Sequence, residues 1–178
     1  MNESKISVRY AKALFQTAVE QHCEDSVRSD MQDLLNCINN LPEFRVLLES
    51  PVINDEKKIE AFDKMFGDKF SPLTLSFYKM LVKNKRENYL KVICLNYEGY
   101  YARTKNIKQV QITAATDIPD SIKSTIKTFV EKKSDGATVE IESVVNPELI
   151  GGIVVKVDDI MYDASVKTQL AKFKNKIR

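Results

Sequence analysis

Apolar residues recur at steps of three and four through the first hundred positions, the spacing that gathers side chains on one face of an α-helix. Ala11, Leu14, Phe15 and Ala18 make a first stripe, and Val27, Met31, Leu34, Leu35 and Ile38 a second. Phe44, Leu47 and Leu48 make a short third that closes at Ser50-Pro51, because a residue before proline is pushed out of the helical region. Asn54 is placed to cap a fourth helix with Ile59, Phe62 and Phe66 inward, and Gly67 to stop it in the left-handed conformation. Ser71 and Pro72 then read as N-cap and first helical position of a fifth, with Leu73, Phe77, Leu81 and Val82 along it. A sixth, from about Glu87 to Lys105, carries Leu90, Ile93, Cys94, Tyr97 and Tyr101. Short connections between six helices predict an antiparallel bundle over residues 1–105.

The period changes at Asn106. Lys108, Val110, Ile112 and Ala114 alternate with Gln109, Gln111 and Thr113, as in a half-buried strand. A helix opening near Pro119 follows, with Ile122, Ile126, Phe129 and Val130 inward and a stop at Asp135-Gly136. A second strand holds Val139 and Ile141 and breaks at Asn146-Pro147. A third, Ile153 to Val157, turns at Asp158-Asp159 into Ile160-Met161-Tyr162. Ser165 can cap a final helix whose inward stripe is Val166, Leu170, Phe173 and Ile177. The predicted fold is therefore mostly α: an N-terminal six-helix bundle over 1–105, then a small α+β domain over 106–178.

Composition limits the function. Of 178 residues 43% are hydrophobic and 29% charged, and Lys+Arg 27 against Asp+Glu 25 leaves a formal +2. That is globular composition, without the cationic excess that neutralising many phosphates needs, so nucleic acid is not an expected partner. The asymmetry is local: Lys167, Lys172, Lys174, Lys176 and Arg178 crowd the end of the chain with no carboxylate side chain among them. No run approaches the roughly 18 apolar residues of a spanning helix, and Met1-Asn-Glu-Ser-Lys has no apolar signal core. Membrane association is expected only through a partner.

Catalytic constellations are missing from the pattern. Five glycines build neither GxxxxGK[ST] nor GxGxxG. Gly151-Gly152 precedes a strand rather than opening a helix, which predicts a bend or a close backbone approach instead of an anion site. His22 adjoins Cys23, but neighbours on a helix end diverge by about 100°, and no orienting group is implied. Cys23, Cys37 and Cys94 lack metal-ligand spacing and read as reduced thiols. Asp55-Glu56 suits a helix start, and Tyr97, Tyr100 and Tyr101 suit packing. The residues alone predict an interaction protein with no catalytic residue, metal or cofactor.

Three segments carry a family resemblance. Arg9-Tyr-Ala-Lys-Ala-Leu-Phe15 with Ala18 resembles the opening of the delta subunits of bacterial F-type ATP synthases, counterparts of the mitochondrial oligomycin-sensitivity-conferring protein. Leu81-Val-Lys-Asn-Lys-Arg86 is similar to that family's junction between fifth and sixth helices. Asn146-Pro-Glu-Leu-Ile-Gly-Gly-Ile-Val-Val-Lys-Val157, then Tyr162-Asp-Ala-Ser-Val166 and Leu170, resembles its terminal signature, in which Gly151, Gly152, Asp163 and Ser165 are the structural motif. Ala164 stands where the family usually has glycine and Thr168 where a glycine often follows; if the turn needed positive φ, alanine would cost on the order of 1 kcal/mol.

The resemblance implies a non-catalytic stator subunit at the cytoplasmic face of the cell inner or plasma membrane, held there peripherally. The bundle would receive amino-terminal helices of alpha subunits of the catalytic head against its first and fifth helices, with Tyr10, Ala11, Leu14, Phe15, Phe77, Tyr78 and Leu81 as candidate contacts. The second domain would hold the b subunits of the peripheral stalk, with Lys167, Lys174 and Arg178 facing them. The competing reading is an unrelated soluble adaptor or regulatory protein with the same two modules.

Overall fold

The computed structural model describes residues 3–134, 136–157 and 160–176, without the side chains of residues 3, 4, 171, 172 and 174–176. The chain is mostly helical with one small sheet, and it divides into two compact units, Met1–Tyr101 and Ala102–Arg178. In order come α1 (Glu3–Glu20), α2 (Glu24–Asn40), α3 (Pro42–Glu49), α4 (Asp55–Phe66), α5 (Pro72–Lys83), a 3-10 turn at Glu87–Tyr89 and α6 (Leu90–Thr104). Then follow β1 (Ile107–Ala114), α7 (Asp120–Lys133), β2 (Thr138–Val145), β3 (Ile153–Val157), β4 (Ile160–Asp163) and α8 (Val166–Lys176).

The starts of α4 and α5 are capped by the expected side chains. Asn54 accepts from Lys57 N at 3.0 Å, and Ser71 Oγ accepts from Thr74 N at 3.3 Å with Pro72 behind it. The Ser71 cap is itself held by buried Asp30 of α2, whose Oδ2 accepts from Ser71 N at 3.0 Å and from Ser71 Oγ at 2.8 Å. Gly67 departs from expectation: its φ is −54, in the right-handed region. Its lack of a side chain serves space, since a Cβ there would lie 2.4 Å from the Asp63 carbonyl oxygen.

Five rings from α3 to α5 fill much of this unit's interior. Phe62 stacks on Tyr78 with centroids 3.6 Å apart, Phe66 on Phe70 at 4.5 Å, and Phe44 meets Phe66 edge-on at 5.7 Å. Such contacts add about 0.5–1.5 kcal/mol per pair beyond area burial. α2 is tied to α6 on the outside, where Arg28 Nη2 donates to Glu98 Oε1 at 2.5 Å and its guanidinium lies 4.4 Å from the Tyr101 ring, while Tyr101 OH donates to Asp25 Oδ1 at 2.6 Å.

Tyr78 OH is buried with no protein hydrogen-bond partner. Burial first, and then the nearby Glu87 carboxylate, push its pKa well above the ordinary value of 10.0. A raised folded-state pKa means that the native state holds the proton more tightly than the unfolded chain. Stability from this group is then complete below about pH 10 and is lost as pH rises further. Tyr78→Phe is expected to leave stability at pH 7 unchanged or to raise it by about 1 kcal/mol, and to flatten the alkaline decline. Urea midpoints at pH 8 and above pH 10 check this; an equally steep decline in the variant would assign it to other groups.

In the second unit the sheet order is β2-β1-β3-β4. β1 pairs parallel with β2, Ile107 opposite Thr138, a pairing that α7 makes possible as the crossover. β1 pairs antiparallel with β3, Val110 opposite Val157, and β3 with β4, Val157 opposite Ile160. That last register leaves residues 158–159 as the connection; the turn expected at Asp158-Asp159 lies outside the described residues. Val110, Ile112, Ala114, Ile118, Val130 and Val139 form the core beneath α7. Two residues expected inward are not there: Ile122 and Phe129 are exposed, Phe129 by 65%. One helix face can bury only a limited stripe, and Val130 with half-buried Ile126 already occupies it.

Candidate functional site

Surfaces, rather than a cleft with reactive groups, are the candidates. α1 is flanked by aromatic contacts on both sides: Tyr10 meets Phe77 of α5 edge-on at 6.4 Å, and Phe15 meets Tyr97 and Tyr100 of α6 at 5.6 and 6.2 Å. Of the seven residues expected to receive a partner helix, Ala11, Leu14, Phe15, Phe77, Tyr78 and Leu81 are all buried within the unit. The same three-and-four spacing that marks an amphipathic stripe also marks a core, and here the core takes it. Tyr10 alone of the set is partly exposed, with its ring seated against Phe77 and the Arg9 guanidinium 5.9 Å from its centroid. On α1, α5 and α6 the large apolar residues that do face outward are Val8, Val19, Met80, Val92 and Leu95; the stripes of the sequence do not pick them out.

The terminal motif is local architecture. Gly152 has φ +77, and a Cβ there would lie 2.3 Å from the Ala164 carbonyl oxygen, so both the conformation and the close approach require glycine. Gly151 has room only as far as Val166, whose Cγ2 would stand 3.2 Å from an added Cβ. Asp163 Oδ1 accepts from Ser165 N at 2.8 Å, and its Oδ2 from Thr168 Oγ1 at 2.7 Å. Ser165 is buried and its Oγ accepts from Thr168 N at 3.2 Å, capping α8. Ala164 is not among the positive-φ residues, so alanine carries no strain there. The strain sits at Ile150, a β-branched residue at φ +67 whose side chain is 67% exposed.

α8 presents a different face from the one expected. Leu170 and Phe173 are 54% and 63% exposed, so that stripe is not packed on the sheet, and Ile177 lies outside the described residues. Lys167 is exposed, with Nζ 3.7 Å from Glu148 Oε2; the Lys174 side chain and Arg178 lie outside the described residues.

A cleft of about 440 Å³ opens between α7 and the hairpin of β3 and β4. Among the described residues Phe129, Val130, Val157, Ile160 and Tyr162 supply its apolar lining, with Lys108, Lys133 and Ser134 beside them. Lys133 Nζ stands 5.9 Å from the Phe129 and Tyr162 ring centroids alike, within cation–π range of both. The sequence conceals this feature because Phe129 has the spacing of a core residue; the signal for it is Phe129 and Lys133 four residues apart on a helix.

Reactive groups are scattered. Among the described residues no three His, Cys, Asp or Glu side chains gather as a metal site. Burial pushes the Cys94 thiol up to about 12, and burial with the Asp33 charge raises Cys37, so neither is an activated thiolate. Exposed His22 sits at φ 53 at the end of α1. Among the described residues no helix is long and apolar enough to cross a membrane.

Against this geometry, comparison with known proteins is specific. The family description "ATP synthase delta (OSCP) subunit" matches residues 6–177. ATP synthase subunit delta of Carboxydothermus hydrogenoformans is 34% identical over 177 residues, covering 99% of each chain. That of Parabacteroides distasonis is 33% identical over 170 residues, 96% of this chain and 94% of its own. In three dimensions the chain matches one from the Toxoplasma gondii mitochondrial ATP synthase hexamer with a TM-score of 0.78 at 21% identity, over 96% of both. A family match across nearly every residue, joined to relatives a third identical along their whole lengths, places this chain in the ATP synthase delta (OSCP) subunit family.

Proposed function

We infer that this non-catalytic subunit of an F-type ATP synthase acts as a two-ended coupler. In this reading the six helices of the first unit form one antiparallel bundle that receives amino-terminal helices of alpha subunits. The second unit holds the b subunits of the peripheral stalk, so that torque on the head is resisted while rotation drives synthesis. The chain works peripherally at the cytoplasmic face of the membrane, reaching it only through the complex. The observation that carries this is the presence of two separate compact units, each with large apolar residues exposed on it.

On the first unit the contact lies along α1 and α5. Tyr10 supplies the accessible aromatic anchor, while Ala11, Leu14, Phe15, Phe77, Tyr78 and Leu81 act from beneath by fixing the two helices. On the second unit Lys167, Lys174 and Arg178 draw the stalk by charge, an attraction that weakens with salt. Tyr10→Glu is expected to weaken binding of an alpha amino-terminal peptide about tenfold or more while leaving stalk binding unchanged. Reversing Lys167, Lys174 and Arg178 to Glu is expected to do the opposite, weakening stalk binding while leaving binding of the alpha peptide unchanged. Titration of the full chain with each partner reads both; a pull-down from native membranes that recovers neither alpha nor b would instead favour the unrelated adaptor.

A further inference from the structure

Among the described residues four with side chains hold positive φ, and three of them are ordinary stops. His22, Lys85 and Asn106 each sit two positions past the end of a helix, at φ 53, 57 and 51, where the left-handed conformation closes helices routinely. Ile150 differs in two ways. It is β-branched, the class of residue that positive φ suits least, and its φ of 67 comes with a ψ of −40, outside the left-handed basin as well.

Both flanks of Ile150 are fixed by contacts that do not involve its side chain. Upstream, Asn146 N donates to Ala114 O at 2.7 Å, and Asn146 Oδ1 accepts from Glu148 N at 3.0 Å. Downstream, Gly151 O accepts from Val166 N at 3.0 Å, and Gly152 lies at φ +77 close against the Ala164 carbonyl. Between these anchors Ile150 is held by its own N–H, which donates to Pro147 O at 3.1 Å. Its exposed side chain gains little packing in return for the strain.

We propose that the turn over residues 147–152 is a two-state switch, in which the peptide joining Leu149 to Ile150 turns over between a strained and a relaxed form. Reversal of that peptide takes φ of Ile150 to negative values, where with its ψ of −40 it joins the right-handed region. The α-carbons and both anchors stay in place. What is lost is the hydrogen bond from Ile150 N to Pro147 O. Pro147 and Ile150 are both exposed, so water takes the freed carbonyl and N–H. Relief of strain at one residue and loss of one solvent-facing hydrogen bond are effects of similar size, so the two forms lie within about tenfold of each other in population. On reversal the Leu149 carbonyl and the Ile150 N–H exchange sides of the chain. The relaxed form therefore turns a backbone donor outward, and a ligand group that accepts from it draws the equilibrium to that form. The turn abuts the start of α8 through Val166 N and through the Lys167–Glu148 ion pair, which places the switch beside that helix.

Two substitutions at position 150 trap the two forms. Glycine is at ease at positive φ, so Ile150→Gly holds the hydrogen-bonded form. Proline fixes φ at about −65° and has no N–H, so Ile150→Pro holds the reversed form, and the extended residue it requires before it is the reversed Leu149. The measurement is nuclear magnetic resonance of the isotope-labelled full chain, read at the Pro147 carbonyl carbon and the Glu148 and Gly152 amides, all at least two positions from the substitution. The wild-type chain is expected to show either doubled signals or averaged shifts between those of the two variants, with a population ratio within about tenfold of unity. Doubling, or the relaxation dispersion that accompanies averaging, is expected to vanish in Ile150→Gly. A single set of wild-type signals that coincides with either variant, without dispersion, overturns the proposal, as does exchange that persists unchanged in Ile150→Gly. Should Ile150→Pro fail to fold, exchange in the wild-type chain and its loss in Ile150→Gly decide the matter by themselves.

Discussion

Glu87→Gln is expected to lower the unfolding free energy of the first unit by about 3–5 kcal/mol. Glu87 Oε1 accepts from Lys58 Nζ at 2.5 Å, and the two side chains are only 8% and 4% exposed. Lys58 Nζ donates in addition to the Leu48 carbonyl oxygen at 3.3 Å, so the pair joins the end of α3, the body of α4 and the turn before α6. Removing the carboxylate strands an ammonium where water does not reach. The pair itself need not be strongly stabilising, because each charge loses its hydration on burial. Lys58→Met combined with Glu87→Leu is accordingly expected to recover most of the loss. Urea unfolding of the single and double variants checks both statements; a loss below about 1 kcal/mol for Glu87→Gln would mean that the side chains reach solvent.

Gly152→Val is expected to cost the second unit about 3 kcal/mol or more. Positive φ alone costs a residue with a Cβ about 1–2 kcal/mol, and a Cβ 2.3 Å from the Ala164 oxygen cannot be accommodated without moving backbone. Two hydrogen bonds stand to open with that movement, Ala164 N to Ile153 O at 3.0 Å and Val166 N to Gly151 O at 3.0 Å. Amide exchange is the informative measurement, with faster exchange expected at Ala164 and Val166 and none of the change appearing in α1 to α5. Gly152→Ala with exchange unaltered would show that the turn has an alternative route.

The elements were legible because their signals are local. Asn54, Ser71 and Ser165 cap the helices that follow them, and β3 spans the expected Ile153–Val157. Orientation was less legible. Leu170, Phe173 and Phe129 have the spacing of a buried face and are exposed, since hydrophobic period reports that a face is apolar without saying whether the chain or a partner covers it. For the same reason the stripe through Leu14, Phe77 and Leu81 was ambiguous between core and groove. Gly67 misled for a different reason, as glycine answers a need for space as readily as a need for positive φ.

The placing of β1 between β2 and β3 bears on the order in which the chain can fold during synthesis. Residues that pair across α-helical turns lie three or four apart, whereas Ile107 must wait for Thr138 and Val110 for Val157. The central strand therefore has no neighbour on either side when it leaves the ribosome, and its antiparallel partner is the later to arrive. Loop closure over such separations is slow compared with helix formation. The first unit can thus acquire its native contacts while the second is still an open chain with apolar Val110 and Ile112 uncovered, which makes this interval the one in which chaperone capture or mispairing of β1 would occur.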